Sequence, residues 1–93
     1  MAFTVSHIVD GGVVGNVRVK YLRVTADAAE GEVLSADSGL RNIFSLAYAP
    51  QSMTTASAKI DINKDSSGVA SLGAIGISGV ASGDEMLLTV WGV

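Results

Sequence analysis

Cysteine is absent from this chain of 93 residues, so neither a disulfide framework nor a thiolate metal site can hold the fold together. Charge is scarce: Asp, Glu, Lys and Arg make up 16% of the residues, against roughly 25% in an ordinary soluble domain. There is one histidine, His7, and a zinc site would have to draw its other ligands from carboxylates alone. No basic face with interleaved aromatics is present, and the net charge is −3, which argues against a nucleic-acid partner. The opening residues carry neither a basic nor a long apolar region, so no secretory signal is expected. The uncharged run from Gly68 to Gly83 is interrupted by glycines and serines and is too short to span a bilayer, so no membrane partner is expected either.

What is abundant is apolar surface. Hydrophobic residues reach 48% and the mean hydropathy is +0.44. A monomer of 9.5 kDa exposes about 5,000 Å² when folded and buries only roughly 60% of what the open chain exposes. Without disulfides or metal, the remaining means of stabilising so small a scaffold is association with other subunits. Two readings follow: a compact Ala- and Gly-rich monomer, or a chain whose surface is covered by neighbours.

The clearest local pattern lies between Ala56 and Ile77. Ala56, Ala58, Ile60 and Ile62 alternate with Ser57, Lys59, Asp61 and Asn63, as in a strand with one dry and one wet face. The polar run Lys64 to Gly68 follows, and then Val69, Ser71, Gly73, Ile75 and Ile77 fall in a second period of two. This predicts a central β-hairpin. Gly73, Ala74 and Gly76 have little side chain, which leaves room for another backbone to approach.

Elsewhere, a first strand runs from Phe3 to Val9 and is expected to break at Asp10-Gly11-Gly12, with Gly15-Asn16 as a second turn. The next strand, Val17 to Thr25, changes phase: Val17, Val19 and Tyr21 share one parity, Leu22 and Val24 the other. Either a bulge or bend near Tyr21 or burial on both faces explains this, and the bulge or bend is preferred. Arg18, Lys20 and Arg23 are read as the solvent side of that strand. Ala26 to Gly31 reads as a loop, with one helical turn within it as the alternative. Ser35 or Asp37 could cap a short turn ending at Gly39, pinned to the core by Leu34 and Leu40. Phe44, Leu46 and Tyr48 mark another strand, closed by Ala49-Pro50. In the last strand Met86, Leu88 and Val90 share one parity while Leu87, Thr89 and Trp91 share the other, so a core lies on one side and a partner is expected on the other. The fold class expected is all-β: a small antiparallel β-sandwich or flattened barrel of about six strands in one domain, residues 1–93.

No motif supports catalysis. Asp61, Asn63 and Asp65 are spaced like the first ligands of a calcium loop, but Ser66 stands where that loop needs glycine and Leu72 where it needs glutamate. The glycines from Gly73 to Gly79 and from Gly11 to Gly15 are not followed by a helix, as a phosphate cradle requires. His7 shares its parity with Phe3 and Val5, which reads as a buried or interfacial histidine. A serine nucleophile would need an elbow beside it. No enzyme activity, cofactor or metal is expected.

Three segments, FTVSHIVD from Phe3, GEVLSADSGL from Gly31 and LLTVWG from Leu87, together resemble a family of small bacteriophage virion structural proteins, most closely the capsid decoration or cement proteins. The resemblance covers most of the chain in order, through short motifs that carry no chemistry. It departs at the ADAAEG loop from Ala26 and at the Gly-poor hairpin tip. It implies a β-rich virion protein, made in the host cytoplasm, that binds the outer capsid surface and bridges major capsid proteins. The partners expected are the major capsid protein and copies of the chain itself, as dimer or trimer. Contact candidates are the N-terminal Ala2, Phe3 and Thr4, then Val33 and Leu34 from the 28–34 loop, and Trp91 with Val93. Trp91 leads because tryptophan buries a large area at interfaces, though a core position is the alternative. Competing functions are a tail, neck or head-fibre component, or a small receptor- or carbohydrate-binding β module using Tyr21, Tyr48 and Trp91.

Overall fold

The computed structural model describes residues 2–54 and 58–93. Seven strands and one helical turn follow in order: β1 Thr4–Val14, β2 Val17–Thr25, β3 Glu30–Val33, α1 Ser35–Ser38, β4 Ile43–Ser52, β5 Lys59–Lys64, β6 Ala70–Ser78 and β7 Glu85–Gly92. They form two antiparallel sheets, ordered β1-β2-β7-β4 and β3-β6-β5. The all-β sandwich is therefore the fold, with open sheets and not a closed barrel. The shortest dimension, 18 Å, is that of two sheets about 10 Å apart with their outer side chains.

The core lies between the sheets. Leu22 and Val24 of β2 and Met86, Leu88 and Val90 of β7 point inward from one side, and Val33, Ile75 and Ile77 from the other. Phe3, Leu40, Ile43 and Val80 belong to the same buried cluster. The solvent-accessible surface is 4879 Å², close to the size expected from mass alone.

The central hairpin is β5 and β6, of which β6 occupies the middle of its sheet. Ala56 and Ser57, assigned to its first strand from the sequence, lie outside the described residues. At the tip, Asp65 Oδ1 accepts from the Ser67 and Val69 N–H groups, both at 2.9 Å, and Gly68 adopts φ 81°. The carboxylate thus forms the turn itself. The glycines of β6 are places of close approach: a side chain on Gly73 would meet the Leu40 carbonyl, and one on Gly76 the Asp65 carbonyl.

Several sequence expectations need correction. The 28–34 stretch is not a loop throughout, because Glu30–Val33 forms β3 against β6 and adds the seventh strand. β1 does not break at Asp10-Gly11-Gly12. It continues to Val14 through two register shifts, His7/Val9 and Asp10/Gly12, and turns only at Gly15-Asn16, where Gly15 has φ 63°. β2 pairs with β7 without a shift, so the preferred bulge or bend near Tyr21 is absent from it; its phase change comes from apolar residues on both parities, Leu22 and Val24 in the core and Val19 and Tyr21 on the outer face. β4 runs past Pro50 to Ser52, which an edge strand permits. α1 has no side-chain cap from Ser35 or Asp37. Ser35 Oγ instead donates to the Leu40 carbonyl, and the buried Ser38 Oγ donates to the Gly73 carbonyl, both at 2.8 Å. Gly39, at φ 72°, does end the turn, and Leu40 is buried while Leu34 is exposed.

One side chain ties the sheets together at their corner. Asn63, at φ 56° beside a shift in β5, uses its amide as a strand would use a peptide group. Its Oδ1 accepts from Ile43 N–H and from Gly73 N–H, both at 3.0 Å. Its Nδ2 donates to the Ile43 carbonyl at 2.8 Å and to Asn42 Oδ1 at 3.1 Å. At the opposite end, the buried Asp84 carboxylate accepts from Thr54 N–H and Oγ1 and from Ala81 N–H, which fixes the turn before β7.

Candidate functional site

The alternation of β7 places Met86, Leu88 and Val90 in the core and Leu87, Thr89 and Trp91 on the outer face of the four-stranded sheet, each of the latter half-buried. The ladder registers extend this face sideways. Val9, Tyr21, Thr89 and Ala47 form one row across the sheet. Arg23, Leu87 and Ala49 form the row on one side of it, and Val19, Trp91 and Ser45 the row on the other. Pairs in register share a face, because side chains alternate with a period of two.

The face is apolar and open. Val9 is 55% exposed, Val14 77% and Tyr21 39%. A concavity of about 450 Å³ lies over β7, bounded by Val9 and Tyr21 on one side and Ala47, Tyr48 and Ala49 on the other, with Leu87 and Thr89 between. Among the described residues, Arg23 and Glu85, at one end, are the only charges whose registers put them on this face. Tyr21 is held in place from below: a side chain at Gly11 would come within 2.6 Å of Tyr21 Cε2, so the glycine lets the ring lie over β1.

The predicted contact residues do not gather into one patch. Phe3 and Val33 are core residues, 3% and 0% exposed, so as contacts they are excluded by their packing against the other buried side chains. Ala2 and Thr4 are exposed; Ala2 bridges to Glu32, and Thr4 N–H and Oγ1 both donate to Asp27 Oδ2. Leu34 is exposed just before α1, and Val93 lies beyond the far end of β7, its N–H bonded to the Asn42 carbonyl. Trp91 is not part of the buried core and lies on the outer face. Sequence reasoning passed over Val9, Ala47 and Ala49; it named Tyr21 only for a carbohydrate-binding module and Leu87 only as part of the second parity of the last strand. The signal for two of these positions was present: Tyr21 shares parity with Val17 and Val19, and Leu87 with Trp91.

Arg18, Lys20 and Arg23 are not one solvent-facing row. Arg23 is on the outer face with Leu87, while Arg18 and Lys20 have the opposite parity. Lys20 is mostly covered, and its Nζ bonds Asp10 Oδ2 at 3.0 Å. This ammonium hydrogen bond lowers the Asp10 carboxyl below its ordinary value near 3.8, helped by the charge of Lys20, the Gly12 amide and Arg18, against an opposing desolvation effect. The side chain of His7 lies outside what the structure describes. Among the described residues no group of three His, Asp or Glu side chains is placed to hold a metal ion, and no helix is long and apolar enough to cross a membrane.

The arrangement offers an apolar surface. No protein-family model, curated protein or solved structure matches the chain.

Proposed function

We propose that this protein is a structural subunit of a bacteriophage particle, a capsid decoration or cement protein that binds the outer capsid surface and stabilises the head by bridging major capsid proteins. The observation that carries the reading is the apolar outer face of the four-stranded sheet, crossed by a central strand that is apolar on both sides. A domain of this size that leaves Val9, Tyr21, Leu87 and Trp91 uncovered or half-covered has its natural environment among neighbouring subunits. The resemblance of the Phe3, Gly31 and Leu87 segments to phage virion proteins supports the same reading. The protein acts by contact area, with no cofactor and no nucleic acid, and its site of action is the assembled virion.

The test is reconstitution. Purified protein is added back to capsids stripped of it, and the melting of the shell is followed by calorimetry. Saturable binding in proportion to the major capsid protein, with a raised shell melting temperature, is the expected result. Binding at a dozen copies or fewer would point to a tail or neck component, and no binding or no rise in melting temperature would refute the cement role.

A further inference from the structure

We infer that the outer face of the β1-β2-β7-β4 sheet is a two-fold self-association surface, in which the Val9 and Tyr21 side of one copy lies over the Ala47 and Ala49 side of another. The inference rests on the reading that this face is an assembly surface, and it names the neighbour as a second copy of this chain.

Relief is the first argument. β7 divides the face into unequal halves: Val9, Val19 and Tyr21 stand on the β2 side, while the outward parity of β4 carries the small Ser45, Ala47 and Ala49, with Tyr48 also lining the concavity on that side. An isologous interface requires each patch to meet its own complement. A two-fold axis lying between the stacked faces and running along β7 does this, because it exchanges the two sides. The bulky half of each copy then fills the hollow half of the other, and the two Trp91 rings meet close to the axis. The 450 Å³ concavity is the space that this exchange fills.

Size is the second argument. The broad aspect of the molecule measures 37 by 26 Å, and an ellipse of those axes covers about 750 Å², against roughly 800 Å² buried per partner in a standard stable interface. One copy seated on the face uses nearly all of it. Charge is the third. The middle rows carry no ionic side chain, and Arg23 and Glu85 lie together at one end. The face thus offers no charge pattern by which to select a dissimilar partner, and an apolar centre is what distinguishes homodimer interfaces.

Analytical ultracentrifugation of the isolated chain, with no capsid present, tests the inference separately from the cement role. The expected result is a concentration-dependent dimer, with Trp91 fluorescence shifting to the blue as it forms. Ala49→Arg, on the exposed edge strand, and Leu87→Asp each weaken association by at least about 30-fold, the loss typical of an interface hot spot. Circular dichroism confirms that each variant is folded, and Ala49→Arg remains informative if Leu87→Asp is not. A folded chain that stays monomeric at every concentration overturns the inference. So does a trimer, a dimer indifferent to both substitutions, or a monomer whose concavity is occupied by a small apolar probe such as an anilinonaphthalene sulfonate. Any of these leaves capsid binding to be judged by reconstitution.

Discussion

Replacing Asn63 by alanine removes four hydrogen bonds at once, those to Ile43 N–H, Ile43 carbonyl, Gly73 N–H and Asn42 Oδ1. The groups left behind belong to two sheets that meet at this corner, so water can only partly replace the lost partners. At about 1 kcal/mol net for each bond, and with some recovery by water, the polar loss comes to about 3 kcal/mol. The backbone adds to it. Asn63 sits at φ 56°, a conformation Asn tolerates and alanine does not, which costs about 1 kcal/mol more. Asn63→Ala should therefore lose about 4 kcal/mol, or roughly 20 °C in Tm for a domain of this length. Asn63→Gly separates the two effects, since glycine keeps the conformation at no steric cost and loses only the polar part. Urea denaturation of the three proteins, with amide exchange at Ile43 and Gly73, measures both. A loss below about 1 kcal/mol for Asn63→Ala would refute the claim that this amide joins the sheets. Equal losses for alanine and glycine would refute the backbone contribution.

Further outcomes follow from the same geometry. Leu88→Ala, in the core, should destabilise the isolated chain by about 3 kcal/mol, whereas Leu87→Ala, its neighbour on the outer face, should cost less than about 1 kcal/mol; equal losses in urea denaturation would contradict a two-faced β7. Gly73→Ala should cost about 3 kcal/mol, because residue 73 holds φ 82° and a side chain there meets the Leu40 carbonyl; thermal unfolding reads this directly. The Asp10–Lys20 pair is fully formed above the ordinary carboxylate value near 3.8 and is lost as pH falls through the lowered folded value, so any Tm difference between the protein and Asp10→Asn should vanish in strong acid. A difference that grew on acidification would contradict the sign.

The parts of the fold written in alternation were legible. The β5-β6 hairpin, the two-sided β7 and the turn at Gly39 all show in the sequence, because period two and a left-handed glycine are local properties. β3 was not legible. Four residues, Glu30 to Val33, are too few to display a period, and their pairing with Ile75 to Ser78 is decided by tertiary packing. The phase change at Tyr21 was legible but its cause was misread: β2 is regular against β7, and the change arises because Leu22 and Val24 face the core while Val19 and Tyr21 are apolar residues on the outer face. Asn63 was hidden for a different reason: it falls on the wet parity, and only the approach of β4 makes its amide a substitute for a strand. Among the contact candidates, Phe3 and Val33 were misplaced because an apolar residue near a terminus or in a supposed loop carries no mark of whether core or partner covers it. Trp91 differed in having Leu87 and Thr89 on its parity, so its strand declared two dry faces.

Why the face and not an edge should join copies follows from how the edges end. β1 is irregular at two places, and β3 is four residues long. β4 has register shifts near both ends, Pro50 without a donor, and at Ile43 both backbone groups already taken by Asn63. Bulges, proline and short length are the devices that keep strand edges from pairing with other chains. The outer face carries no comparable protection: its rows at Thr89 and Trp91 have neither a charge nor a proline. Association across the face leaves the outward amides of β4 free to exchange, while addition at the edge would protect them. Hydrogen exchange on the dilute and the concentrated protein should show slowing confined to neither edge strand, and selective protection of β4 amides on association would place the contact at the edge instead.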